Sequence, residues 1–194
     1  MAKATFFLSA GRCGTQTLAA AIKEMRPDAV VEHEPIGADY RYADKALAHL
    51  ERVRAILDSG QDYIETGWPS WAWLPVFKAS LELVNGEYAE DRCEVCCIFR
   101  RTDDQVRSLR AHQLDERDDD YAALIPHGGV KALVELVLSM SGGGEYGYVH
   151  FEKLFGPQGG AIEAIAEMLG ITDIERFSAL LKIKVDRWPT KEAE

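Results

Sequence analysis

Thr5-Phe-Phe-Leu-Ser-Ala-Gly-Arg-Cys-Gly-Thr-Gln-Thr-Leu18 runs from an apolar stretch through a short turn with two glycines into the start of an Ala-rich helix. Such a turn is a place for an anion. The first N–H groups of a helix have no intrahelical partner, and the helix dipole puts partial positive charge where they point. Arg12 adds a full charge, and Thr15 and Thr17 offer hydroxyl donors. Gly11 and Gly14 let the backbone bend sharply and approach a ligand closely. An ordinary strand-to-helix turn has the same small residues, so features elsewhere in the chain must distinguish the two.

Outward from this stretch, short apolar segments alternate with helical patterns, as expected for a parallel sheet covered by helices on both faces. Strands are predicted over residues 5–9, 29–32, 63–66, 94–99 and 146–151. Helices are predicted over 15–25, over 44–59 with Leu47, Leu50, Val53 and Leu57 as its apolar stripe and Gly60 as its stop, and over 69–84. Later helices are predicted to begin near Asp103, Val130, Gly160 and Asp173, the last with Thr172 as N-cap. Asp115-Glu-Arg-Asp-Asp-Asp120 reads as a solvated loop, and Gly142-Gly-Gly144 and Gly156-Pro-Gln-Gly-Gly160 read as flexible joints. The expected fold is α/β: one three-layer domain over residues 1–194, with about five parallel strands flanked by helices.

Composition narrows the partners. Acidic residues outnumber basic ones 32 to 22, and the net charge of −10 argues against a nucleic-acid or acidic-membrane surface. An anionic ligand must therefore be held by a local basic site. Cys13, Cys93, Cys96 and Cys97 are too bunched for a disulfide framework, and no second Cys/His pair at finger-like spacing completes a zinc site, so they read as reduced core residues. No apolar run approaches the roughly 20 residues of a membrane span, and the opening segment leads directly into the turn, so a cytoplasmic location is expected.

In open parallel sheets, ligands gather at the carboxyl ends of the strands. After the fourth predicted strand comes Phe99-Arg-Arg-Thr-Asp-Asp-Gln-Val-Arg-Ser-Leu109, with Arg100 closing the strand and Ser108 on the following helix. Together with the first loop, this pair resembles the sulfotransferases that use 3′-phosphoadenosine 5′-phosphosulfate (PAPS). In that family the first loop, typically Lys- or Arg-Ser-Gly-Thr-Thr, holds the 5′-phosphosulfate; here Arg12-Cys-Gly-Thr-Gln16 stands in its place. The resemblance implies donor contacts from Gly11, Arg12, Cys13, Gly14, Thr15, Gln16 and Thr17, with Arg100 and Ser108 gripping the 3′-phosphate. It extends through Glu65-Thr-Gly67 and through Val149-His-Phe-Glu-Lys-Leu154, which is similar to the family's Tyr-Glu-Asp-Leu segment. At Thr17 the chain departs from a family that often has tryptophan near the end of this loop, which leaves the adenine's stacking partner unassigned.

The resemblance implies a P-loop-like sulfotransferase architecture and transfer of a sulfuryl group from PAPS to a hydroxyl of a small-molecule or carbohydrate acceptor. The transfer would be in-line and without a metal, leaving adenosine 3′,5′-bisphosphate. It needs a base for the hydroxyl proton. Val30-Val-Glu-His-Glu-Pro35 supplies two candidates after the second strand, Glu34 and His33; heparan-type sulfotransferases place a glutamate there, as Glu34 does here. The cytosolic aryl and steroid enzymes use a histidine after the third strand, where this chain has Gly67. Arg12 would neutralise charge building on the leaving phosphate. An extended backbone at His33 and Glu34 would send the two side chains to opposite sides.

Other loop chemistries fit less well. A Walker loop needs lysine after the last glycine, but Thr15 follows Gly14; a cysteine phosphatase needs arginine six positions after Cys13, where Ala19 stands. Cys13 reads as a small residue filling the turn or as a thiol of lowered pKa. A nucleotide-binding regulatory module of the same fold and an atypical P-loop small-molecule kinase remain the alternatives. Trp68, Trp71 and Trp73 are candidates for core packing or an acceptor floor, and Lys182, Lys184 and Arg187 for a basic tail over the nucleotide.

Overall fold

A computed structural model describes residues 2–9, 12–37, 39, 42–67, 93–111, 147–156 and 160–183. Its centre is β1 (Ala4–Ser9), six residues that are all buried because strands flank it on both sides. The other strands are β2 (Val30–His33), β3 (Tyr63–Gly67), β4 (Cys93–Phe99) and β5 (Gly147–His150). All pair in parallel, in the order β2-β3-β1-β4-β5. Strands buried on both faces read as continuous apolar runs, which is why Thr5-Phe-Phe-Leu8 and Val95-Cys-Cys-Ile-Phe99 show no alternation.

Helices cover both faces. On one, Phe6, Leu8, Tyr63, Val95 and Cys97 pack with Val53 and Leu57 of α2 (Ala43–Asp58). On the other, Phe7, Ile64, Cys96 and Ile98 pack with three further helices: Leu18 and Ile22 of α1 (Thr15–Met25), Ile165 of α5 (Ile162–Met168), and Phe177 and Leu181 of α6 (Ile174–Leu181). Phe6, Phe7 and Leu8 are at most 1% exposed, each contributing on the order of 2 kcal/mol through burial. Among the described residues the remaining helices are α3 (Thr102–Ala111), directly after β4, and the short α4 (Phe151–Phe155), directly after β5. This is the three-layer α/β arrangement expected from the alternation of elements.

Several details differ from the sequence expectations. Leu47 is 45% exposed; Ala46 and His49 take the buried face of α2 with Val53 and Leu57, because a polar seam described below turns the helix toward the sheet. The fifth strand stops at His150, and Phe151 opens α4. The cap of α6 is Asp173, whose carboxylate accepts from the Arg176 N–H at 3.0 Å, and not Thr172. Gly60 ends α2 at φ 88°, a left-handed value that suits glycine. All four cysteines are buried, and burial pushes the Cys96 thiol up to about 12. The helices predicted over 69–84 and near Val130, the loop at 115–120 and the joint at 142–144 lie outside the described residues.

Candidate functional site

From β1 the sheet grows one way through β3 and β2 and the other way through β4 and β5, so the topological switch lies between β1 and β4. Crevices for ligands open at the carboxyl ends of the strands beside such a switch. The turn at 12–14 follows β1, and Arg100 follows β4, so both stand at this place.

The two arginines meet there. Arg100 Nη1 donates to the Arg12 carbonyl at 2.8 Å, and Arg12 Nε donates to Ser108 Oγ at 3.1 Å. The Arg100 guanidinium stacks over the Phe151 ring, 4.3 Å from its centroid. Arg100 Nε is buried without a hydrogen-bond partner among the described residues, a costly state for a charged donor. Cys13 fills the turn: it is fully buried and its Sγ accepts from Gln105 Nε2 at 3.3 Å. Gln105 and Ser108 are three residues apart on α3, so one face of that helix holds the loop at two points.

Gly14 is the N-cap of α1 at φ 73°. A Cβ there would lie 2.6 Å from Phe155 and 3.0 Å from Phe151, whose rings are themselves 4.8 Å apart. Glycine is thus required twice, for its backbone angle and for the aromatic pair packed on it. Thr15 and Thr17 are buried in the first turns of α1, while Gln16 is half-buried. No acidic residue occupies the first turn, which keeps the positive end of the helix dipole uncompensated by its own side chains. Gly11 lies outside the described residues.

A second cluster stands at the ends of β2 and β3. His33 pairs in register with Thr66, and its Nδ1 is 3.0 Å from both the Thr66 carbonyl and Thr66 Oγ1. His33 Nε2 is 4.0 Å from Glu34 Oε2. The two side chains therefore share one place, contrary to the expectation from an extended chain, because Glu34 has φ 46° and leaves the strand geometry. Gly67, at φ 143°, leaves the room: a Cβ on it would be 2.4 Å from Glu34 Cγ. The Glu34 side chain fills the space that a side chain at position 67 would take. Thr66 Oγ1 donates to the Thr15 carbonyl at 2.9 Å, tying this cluster to the start of α1.

Arg12 and Glu34 are the two non-glycine residues with positive φ among the described residues. Each such conformation costs on the order of 1–2 kcal/mol and persists only where neighbours enforce it. Backbone strain therefore falls on two residues the sequence singled out for chemistry.

Other singled-out groups lie elsewhere. Glu65, adjacent to Thr66, points to the opposite face of β3, where it is 2% exposed and pairs with His49 Nε2 at 2.8 Å and the Tyr63 hydroxyl at 2.7 Å. Arg52 and the Tyr63 hydroxyl also reach Glu32, completing a polar seam under α2. Desolvation, with Glu65 and Glu32 alongside, pushes the Tyr63 hydroxyl far up. Two arginines beside Arg100 and Ser108 turn outward instead: Arg101, just before α3, and Arg107, on it, are exposed and paired with Asp104. Lys182 is exposed at the end of α6. Trp68, Trp71, Trp73, Lys184 and Arg187 lie outside the described residues.

Sequence reading gave no role to Gln105 or Phe155, nor to Thr66 and Phe151 within the stretches it quoted. Gln105 was legible through its i, i+3 spacing from Ser108, but the aromatic pair carries no local signal, since its partners lie in a distant loop.

No family model matches the chain. No curated protein matches it in sequence. Among solved structures, a sulfotransferase from Alicyclobacillus acidocaldarius is similar in fold, with a TM-score of 0.52 at 13% identity, over 97% of this chain and 99% of that one. The chain thus has a sulfotransferase-like fold, and no described helix is long and apolar enough to cross a membrane.

Proposed function

We propose that this protein transfers a sulfuryl group from PAPS to an acceptor hydroxyl. The convergence of Arg12, Arg100 and Ser108 at the topological switch supports it most directly. Two guanidinium groups beside a helix N-terminus, in a chain of net charge −10, make a local site for a ligand with several negative charges. The unpartnered Arg100 Nε fits a phosphate oxygen, the acceptor that its buried N–H lacks. Ser108 accepts from Arg12 and so keeps its own hydroxyl hydrogen to donate.

The donor supplies the transferable group: its S–O bond to the phosphate breaks as the acceptor oxygen bonds to sulfur, and the electron pair leaves on the phosphate. Arg12 and the first N–H groups of α1 stabilise the charge that gathers on that phosphate. Thr15 and Thr17 orient the phosphosulfate. Arg100 and Ser108 hold the 3′-phosphate and thereby select this donor over ATP. Glu34 takes the proton of the attacking hydroxyl, with His33 beside it. The acceptor is a small molecule or carbohydrate.

Calorimetry with adenosine 3′,5′-bisphosphate and with ATP tests the donor site, and radiolabelled PAPS with a panel of phenols and sugars tests turnover. Tighter binding of the bisphosphate together with a labelled product is the expected result. Binding without product would instead indicate a regulatory nucleotide-binding module, and a magnesium-dependent preference for ATP would indicate a kinase.

A further inference from the structure

We propose that His33 and Glu34 work as a pair that handles one proton between them, and that Thr66 is the positioning residue that fixes the pair's hydrogen-bonding sense. The hydroxyl proton comes from the sulfuryl transfer proposed above, so the catalytic part of this assignment rests on that reading.

The hydrogen-bond directions follow from chemistry. The Thr15 carbonyl can only accept, so Thr66 Oγ1, 2.9 Å away, points its hydrogen there. Toward His33 the same oxygen then presents lone pairs. The Thr66 carbonyl does likewise, and both are 3.0 Å from His33 Nδ1. Two acceptors converging on one ring nitrogen require that nitrogen to carry a hydrogen. In the neutral imidazole, Nε2 is therefore unprotonated, and it faces Glu34 Oε2 at 4.0 Å.

The backbone holds this sense in place. The Thr66 carbonyl also accepts from the Glu34 N–H at 3.0 Å, so a single peptide oxygen anchors the ring of one residue and the main chain of the next. The positive φ of Glu34 and the missing side chain of Gly67 bring the carboxylate round to the ring.

Glu34 receives the proton as the acceptor oxygen attacks sulfur. Its carboxyl O–H then faces an unprotonated Nε2, and closing the 4.0 Å gap by about 1 Å makes the hydrogen bond through which the proton passes. Glu34 is ionised again, His33 is an imidazolium beside it, and solvent removes the proton before the next turnover. The opposite tautomer would point a hydrogen at the carboxylate and accept nothing. Thr66 thus acts through His33, and its link to Thr15 couples the pair to the helix start that faces the donor.

Long-range proton–nitrogen NMR on the full chain, with the His33 signals assigned by H33N, reads the tautomer directly. The expected result is the Nδ1–H form for neutral His33; an Nε2–H form overturns the proposal. In T66V, which keeps shape but loses the hydroxyl, a mixed tautomer and about a tenfold lower kcat are expected, with the Kd for adenosine 3′,5′-bisphosphate unchanged. T66S is expected to restore both. An unaltered kcat in T66V, or no recovery in T66S, overturns the role of Thr66. If wild-type protein neither binds the bisphosphate nor turns over PAPS, the sulfuryl-transfer reading fails, while the tautomer measurement still decides the hydrogen-bond assignment.

Discussion

Arg12 and Glu34 hold left-handed backbone angles that favour glycine, and both are charged residues at the carboxyl edge of the sheet. Replacing Arg12 with alanine is expected to lower kcat/KM about a thousandfold, the size of effect found when a donor aimed at developing charge is removed. Replacing Glu34 with glutamine is expected to lower kcat about a hundredfold while leaving the Kd for adenosine 3′,5′-bisphosphate unchanged. Single-turnover kinetics beside calorimetry separate the two effects, and equal losses of binding and rate in the Glu34 variant would remove it as the base. G67A is expected to push Glu34 out of place: its new Cβ would sit 2.4 Å from Glu34 Cγ, at φ 143°. A lower kcat with at least about 1 kcal/mol of lost stability in urea unfolding is the expected signature.

The helices dock by different physics on the two faces of the sheet. On the α1 side the packing is apolar, through Leu18, Ile22, Ile165 and Phe177. On the α2 side, apolar contacts share the interface with the seam of His49, Glu65, Tyr63, Glu32 and Arg52. Removing one member of a buried hydrogen-bonded network costs more than its bonds contribute, because the groups left behind, here His49 and the Tyr63 hydroxyl, lose their partner. Glu65→Ala is therefore expected to destabilise the fold by about 3 kcal/mol, read by urea unfolding. This seam also explains why the apolar stripe read from Leu47 to Leu57 was rotated: periodicity counts apolar residues, and His49 satisfied at a carboxylate does not register as an inward position. The bounds of α1, by contrast, were legible to the residue, since an apolar strand, a glycine turn and an Ala-rich run are all local signals.

Across the molecule, ion pairs join elements far apart in the chain, and they set its response to acid. Arg26, at the end of α1, reaches Asp28 and Asp62 and also the Leu169 carbonyl after α5. Hydrogen bonding to Arg52 holds the Glu32 carboxyl below its ordinary value of 4.5, and Arg26 lowers Asp28 in the same way. A carboxyl whose pKa is depressed on folding adds stability that is present above the unfolded value and lost as pH falls through the folded one. Stability is thus expected to decline as pH drops below about 4.5, with a shallower decline in an Arg52→Gln variant. Thermal unfolding between pH 6 and pH 3 checks this, and added salt is expected to weaken the effect because these pairs are partly exposed.

Patterns short in sequence told the α/β class, the parallel strands and the glycine turn that opens α1. Hydrophobic period, glycine placement and unpaired helix N–H groups act between neighbours along the chain, so they can be read there. The strand order, and with it the meeting of Arg12 with Arg100 and Ser108, 88 and 96 positions away, came from how the strands cross and pair. So did the left-handed turn at Glu34 that brings it beside His33. Contacts between distant segments depend on register and on which face each element buries, and no stretch of residues carries that information alone.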